Sequence, residues 1–174
     1  MPHKAHATSH ASKPDAIQIL TADHREVSKI FEQFEKIKDK DDAAKKQSLV
    51  QRACDELTIH AQVEEEIFYP ALRKALEDDD LIDEAVVEHI SAKQLIAELE
   101  TMEPGDDLYD AKFTVLGEYV KHHVKEEQNE IFPKAKKSKV DLKQLGQEIS
   151  ERKEEMKSEL GLETEEEEEK EEEK

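Results

Sequence analysis

Residues 60–74, "HAQVEEEIFYPALRK", and residues 122–137, "HHVKEEQNEIFPKAKK", write one order of residue types twice: histidine, three spacers, glutamate, then a phenylalanine and a proline. Side chains four residues apart on an α-helix project from the same face. His60 with Glu64, and His123 with Glu127, therefore each offer two donor groups to one side of a helix. That side is the apolar one: Val50, Ala53 and Leu57 recur at helical spacing and run into His60 and Glu64, while Phe113, Leu116 and Val120 run into His123 and Glu127.

Two more stripes are interrupted in the same way. Ile17, Leu20, Val27, Phe31 and Phe34 leave a gap filled by His24, and Ile82, Ala85, Ala92, Ile96 and Leu99 leave one filled by His89. A single histidine on an apolar stripe is ordinarily a hydrogen-bonded core residue. Four histidines joined by two glutamates are harder to explain that way, because a buried carboxylate without a partner costs several kcal/mol. No Lys or Arg shares the stripes beside these positions. A metal supplies the missing charge, and imidazole nitrogen with carboxylate oxygen suits Fe, Mn or Zn. Four His and two Glu exceed one tetrahedral zinc site and suit two ions bridged by the carboxylates. His24 and His60 lie 36 residues apart and His89 and His123 lie 34 apart, so each half of the chain is a helical hairpin carrying three donors.

The stripes predict helices over residues 15–38, 43–76, 81–102 and 108–137, with a fifth within 138–160 marked by Leu142, Leu145, Ile149 and Met156. Pro14 and Asp15 suit a helix start, and "EPGDD", residues 103–107, ends one helix and offers an Asp to cap the next. Pro70 and Pro133 are expected to bend the ends of their helices. The fold class is all-α: an up-down-up-down four-helix bundle over residues 15–137 and an amphipathic C-terminal helix over 138–160. A disordered arm over 1–14, carrying His3, His6 and His10, and an acidic tail over 161–174 flank it.

Composition agrees. Charged residues make up 41% of the 174-residue chain and Gly and Pro are few, which favours long helices. The net charge of −19 repels nucleic acid and anionic membranes, so neither is an expected partner. No apolar run approaches a membrane span, "MPHKAHATSHASKP" lacks an apolar signal region, and the lone Cys54 has no disulfide partner within the chain. A cytoplasmic protein, monomeric or homodimeric, with Cys54 as a small buried residue, is the expectation.

"LTADHREVSKIFEQFE", "HAQVEEEIFYPAL", "EHISAKQLIAELE" and "HHVKEEQNEIFPKA", in this order, resemble the hemerythrin-like HHE cation-binding domain over residues 15–137. "DLKQLGQEISERKEEM" resembles the helix that often follows it. The resemblance implies a non-haem di-iron centre: His24 and His60 on one iron, His89 and His123 on the other, Glu64 and Glu127 bridging. It also implies a small ligand such as O2, peroxide or nitric oxide, and possible peroxide decomposition. Two departures separate this chain from the oxygen carriers. Lys93 stands where they have a second third-helix histidine and Gln128 where they have an aspartate, which implies a more open iron.

His122, with Glu126 one turn on, competes with His123. His123 is preferred because His60 to Pro70 and His123 to Pro133 are both ten residues. Glu56, Glu65, Glu88 and Glu126, like His122, offer hydrogen bonds to the ligands or a further ligand, with solvated helix faces as the expectation. Tyr69, Tyr109 and Tyr119 are within reach of the centre, with boundary positions and wet hydroxyls as the expectation. Two other functions compete with di-iron chemistry: an iron sensor or store without turnover, and an acidic helical interaction protein with structural histidines.

Overall fold

The structure, a computed structural model, describes residues 12–76 and 80–162. His3, His6 and His10 and nearly all of the acidic tail lie outside the described residues.

Helix α1 (Ala16–Ile37) starts at a reciprocal cap in which the Asp15 carboxylate accepts from Gln18 N at 2.9 Å and the Gln18 side chain accepts from Asp15 N at 2.9 Å. Asp42 caps α2 (Ala43–Val63) through Lys45 N. This helix does not end at Val63. It passes through a π-helical turn (Glu64–Phe68) and resumes as α3 (Tyr69–Ala75), with Pro70 in the first turn, where a missing N–H costs least. Helix α4 (Asp80–Glu100) leads back, and α5 (Tyr109–Glu126) repeats the device: a π turn (Glu127–Ile131), then α6 (Phe132–Lys137) with Pro133 in its first turn. The bend expected at each proline is thus a wide turn just upstream of it, after which the helix continues.

The Asp cap expected for α5 is not made. Leu108 precedes the helix in left-handed backbone at φ 70° without a side-chain cap, and the Asp106 carboxylate instead accepts from Glu103 N at 2.8 Å, closing its own loop.

The core falls into two apolar clusters. One holds Ala16 and Leu20 of α1, Ile59 and Val63 of α2, Ile82 and Ala85 of α4, and Ile131 and Phe132 at the end of the second hairpin. The other holds Val27 and Phe34, Val50 and Ala53, Ile96 and Leu99, and Phe113 and Leu116. Early α1 and α4 thus share a layer with late α2 and the α5–α6 end, which requires successive helices to run antiparallel. His24, His89, His123 and Glu127 fall in the sequence between the two sets, His60 and Glu64 each follow a residue of the first set, Ile59 and Val63, and all six are buried.

Asp141 caps α7 (Leu142–Leu160), which ends in a Schellman arrangement at Gly161, φ 69°, with Leu162 N donating to Lys157 O at 2.9 Å. It packs on α1, α2 and the first π turn. At Gly146 a Cβ would stand 2.6 Å from the Pro14 carbonyl oxygen, so only glycine lets the backbones meet there. Among the described residues no helix is long and apolar enough to cross a membrane.

Candidate metal centre

The six residues singled out by the stripes converge. His24 Nε2 and His60 Nε2 are 3.1 Å apart, His60 Nε2 is 3.1 Å from Glu64 Oε1, and His24 Nε2 is 3.1 Å from Glu127 Oε2. On the other side His89 Nε2 and His123 Nε2 are 3.1 Å apart, and His89 Nε2 is 3.1 Å from Glu64 Oε2. Glu64 thus turns one oxygen to each pair of histidines. Glu127 Oε2 also lies 3.6 Å from His123 Nε2. Two donor groups result, His24–His60–Glu64–Glu127 and Glu64–His89–His123, sharing Glu64.

The outer ring nitrogens follow one rule in both halves. The acid just before the first histidine of a hairpin serves the second histidine: Asp23 Oδ2 lies 3.1 Å from His60 Nδ1, and Glu88 Oε2 lies 2.6 Å from His123 Nδ1. The residues just after Glu64 and Glu127 each lie against the first histidine of the other hairpin. Glu65 Oε1 lies 2.9 Å from His89 Nδ1, and the Gln128 amide lies 3.3 Å from His24 Nδ1. It is the Gln128 amide nitrogen, Nε2, that faces that ring. Nδ1 of His60, His89 and His123 then donates its proton outward to a carboxylate, which leaves a neutral ring with its Nε2 lone pair facing inward.

Lone pairs 3.1 Å apart, facing carboxylate oxygens, repel unless a cation lies among them. Lys153 donates to Asp23, and Lys93 Nζ lies 2.8 and 2.7 Å from the two oxygens of Glu65, so both lysines serve the outer carboxylates. Glu64 and Glu127 are fully buried and pair with no Lys or Arg among the described residues. Among the described residues Glu64 Oε1 and Glu127 Oε2 accept no hydrogen bond, although each is 3.1 Å from a ring nitrogen.

Without a metal the space among these donors can be filled only by protons. Burial alone would lower the His123 pKa, but Glu64, Glu88 and Glu127 push it up to about 10. His60 is likewise held well above its ordinary value, against burial, by Glu64 and Asp23. Burial would raise the Glu64 carboxyl, yet His60, His123 and His89 hold it well below the usual carboxylate range.

Donor spacing tests the fit to a metal. Ligands about 2.1 Å from an ion stand about 3.0 Å apart at right angles and about 3.4 Å apart in a tetrahedron. The 3.1 Å separations match the first case. The residues present therefore fit an ion with cis, octahedral-type coordination.

Tyr69 corrects one expectation. Its hydroxyl is not wet: the residue is buried, donates to Glu127 Oε1 at 2.8 Å, stands 3.4 Å from Glu64 Oε2 and stacks on His89. Tyr109 is also buried, among the second cluster, whereas Tyr119 is exposed. Glu65 and Glu88 are not solvated bystanders, since each orients a ring. His122 lies outside the group of six, exposed beside Glu88 and Glu126. Glu56 is drawn to none of the six; burial raises its carboxyl. Asp23 and Lys153 were not singled out by the stripes. The repeated acid–histidine dipeptide, Asp23–His24 and Glu88–His89, is the signal that finds Asp23.

A cavity of about 40 Å³ reaches His24, His60, His89 and His123. Its walls are mostly apolar, including Val27, Leu57, Ala92, Ile96 and Val120.

An antiparallel helical bundle with paired His and Glu donors in a dry polar layer defines a metal-binding helical protein. The chain belongs to the hemerythrin HHE cation binding domain family, whose model matches residues 15–135. A crystal structure of a hemerythrin HHE cation binding domain-containing protein from Mycobacterium kansasii matches with a TM-score of 0.68 at 21% identity, covering 83% of this chain and 88% of that one. That likeness carries the fold. A DNA nickase of Nostoc sp. (strain PCC 7120) is 25% identical over 114 residues, 66% of this chain and 31% of that protein, so the match spans about a third of the relative's length.

Proposed function

We propose that the buried donors hold two iron ions, His24 and His60 on one, His89 and His123 on the other, with Glu64 and Glu127 between them, and that this centre binds or processes O2, peroxide or nitric oxide. The observation that carries the reading is Glu64, whose two oxygens each stand 3.1 Å from a histidine of a different pair. Right-angle donor spacing favours iron or manganese over tetrahedral zinc. When bound, iron supplies the ligand affinity and the redox capacity, which no side chain here provides.

The chain's own residues set the conditions. Asp23, Glu65 and Glu88 fix the tautomer and orientation of three rings, and Tyr69 holds Glu127 in place with a proton it does not readily lose, its pKa raised by burial and by both glutamates. The cavity of about 40 Å³ suits a molecule of two or three atoms, and its apolar wall keeps water sparse. Nucleic acid fits neither that cavity nor a net charge of −19.

Iron per chain, with the visible spectrum before and after O2 or peroxide, tests the reading. The full chain is expected to bind two irons and to change colour, and His60→Ala and Glu64→Ala to lose both properties. A chain that takes up no iron anaerobically overturns it. Steady-state peroxide consumption separates turnover from an iron sensor or store.

A further inference from the structure

Beside the buried donors lies a second arrangement with the same arithmetic. Glu88, His122 and Glu126 are the residues immediately before His89, His123 and Glu127, so a one-residue shift on both helices reproduces a His and Glu set on the outer face. His122 Nε2 stands 3.3 Å from Glu88 Oε1 and 3.1 Å from Glu126 Oε1, and all three donor atoms lie within 4.8 Å of one another. His122 and Glu126 are four residues apart and share a face of α5, while Glu88 approaches from α4.

We propose that Glu88, His122 and Glu126 form a third, solvent-facing site for a divalent transition-metal ion, which captures ions bound for the buried centre. Imidazole with two carboxylates is a donor set for zinc, iron(II) or manganese, and three protein ligands leave room for water on an ion in transit. Among the described residues neither carboxylate forms an ion pair with Lys or Arg; Glu88 is shared between the His122 and His123 rings, and Glu126 faces His122. Glu88 is already oriented: its other oxygen is held by His123 Nδ1 at 2.6 Å, on the ring whose Nε2 faces the buried group. Glu88 also lines the cavity that reaches the buried histidines, together with Tyr119, which is exposed. A carboxylate that touches both an exposed imidazole and a buried donor links solvent to the centre. The overall charge of −19 draws cations to this surface.

The capture role rests on the buried donors binding metal; the existence of the outer site does not. Equilibrium dialysis of the full chain against Zn²⁺ counts ions bound by wild type, His122→Ala, Glu126→Gln and His60→Ala. His122 is 63% exposed, so its replacement leaves the packing intact. Wild type is expected to bind one weaker equivalent beyond the tight ones. His122→Ala and Glu126→Gln lose that equivalent alone, and His60→Ala keeps it while losing tight binding. Equal stoichiometry in wild type and His122→Ala overturns the site and leaves His122 as an ion-pair partner of two glutamates. His60→Ala with unchanged tight binding overturns the buried reading instead. Stopped-flow uptake at substoichiometric Zn²⁺ then tests capture: filling of the tight sites slows at least threefold in His122→Ala, and an unchanged rate overturns the capture role.

Discussion

Replacing Asp23 with Asn, alone and together with Lys153→Met, separates stability from metal affinity. Asp23 and Lys153 are nearly buried together, with side-chain exposures of 10% and 12%. Burial alone would raise the Asp23 carboxyl, but His60 and Lys153 hold it below the usual range. Asp23→Asn leaves the Lys153 ammonium in that pocket without its anion. Breaking a fully buried pair costs about 3–5 kcal/mol. Because Glu56 stands near enough to feel Lys153, we expect about 2–3 kcal/mol here, read as a lower urea midpoint in chelator-treated protein. The same change removes the charged acceptor from His60 Nδ1, which is expected to weaken metal binding about 10- to 100-fold. Adding Lys153→Met removes the stranded charge and keeps the side-chain length. The double variant should regain most of the stability while keeping the metal defect, measured by competition with a chromogenic chelator. Two results refute this reasoning: an Asp23→Asn midpoint equal to wild type, or full recovery of metal affinity in the double variant.

Tyr69→Phe removes a buried donor from Glu127 and should destabilise the metal-free protein by about 1–2 kcal/mol in urea unfolding; an unchanged midpoint would deny the hydroxyl its place. The raised His123 pKa makes metal-free stability fall with pH: the contribution is whole below about 6.5, the unfolded value, and is lost as pH rises through about 10. Metal displaces that proton, so affinity should rise over the same range and binding should release protons, as calorimetry in buffers of different ionisation heat would report. Cys54, buried and pushed up to about 12 by burial first and nearby acids second, should react with thiol reagents only as fast as the chain unfolds. Labelling within seconds at pH 8 would contradict its burial.

The helical bundle and the convergence of the six residues were legible because each interrupts an apolar stripe, and a stripe reports which way a side chain points. What lay off the stripes was not. Asp23 sits one residue from His24 and reaches a ring on another helix, and Lys153 comes from α7, outside the hairpin repeat. Periodicity misled at one point. Extending the α2 stripe past Glu64 selects Ile67 and Ala71, whereas the structure buries Phe68 and Leu72 and leaves the former pair partly exposed. A π turn inserts one extra residue per turn and moves the buried face by one position. Tyr69 enters the site for the same reason.

Those wide turns also bear on how quickly ions come and go. Each begins at a shared glutamate and closes where Tyr69 N or Phe132 N donates back to the Glu64 or Glu127 carbonyl, immediately before a proline that cannot join a regular ladder. The carboxylates are aimed by backbone and imino-acid chemistry before any ion arrives. Little ordering entropy is then left to lose on binding, and exchange between occupied and vacant forms should proceed without unfolding a helix.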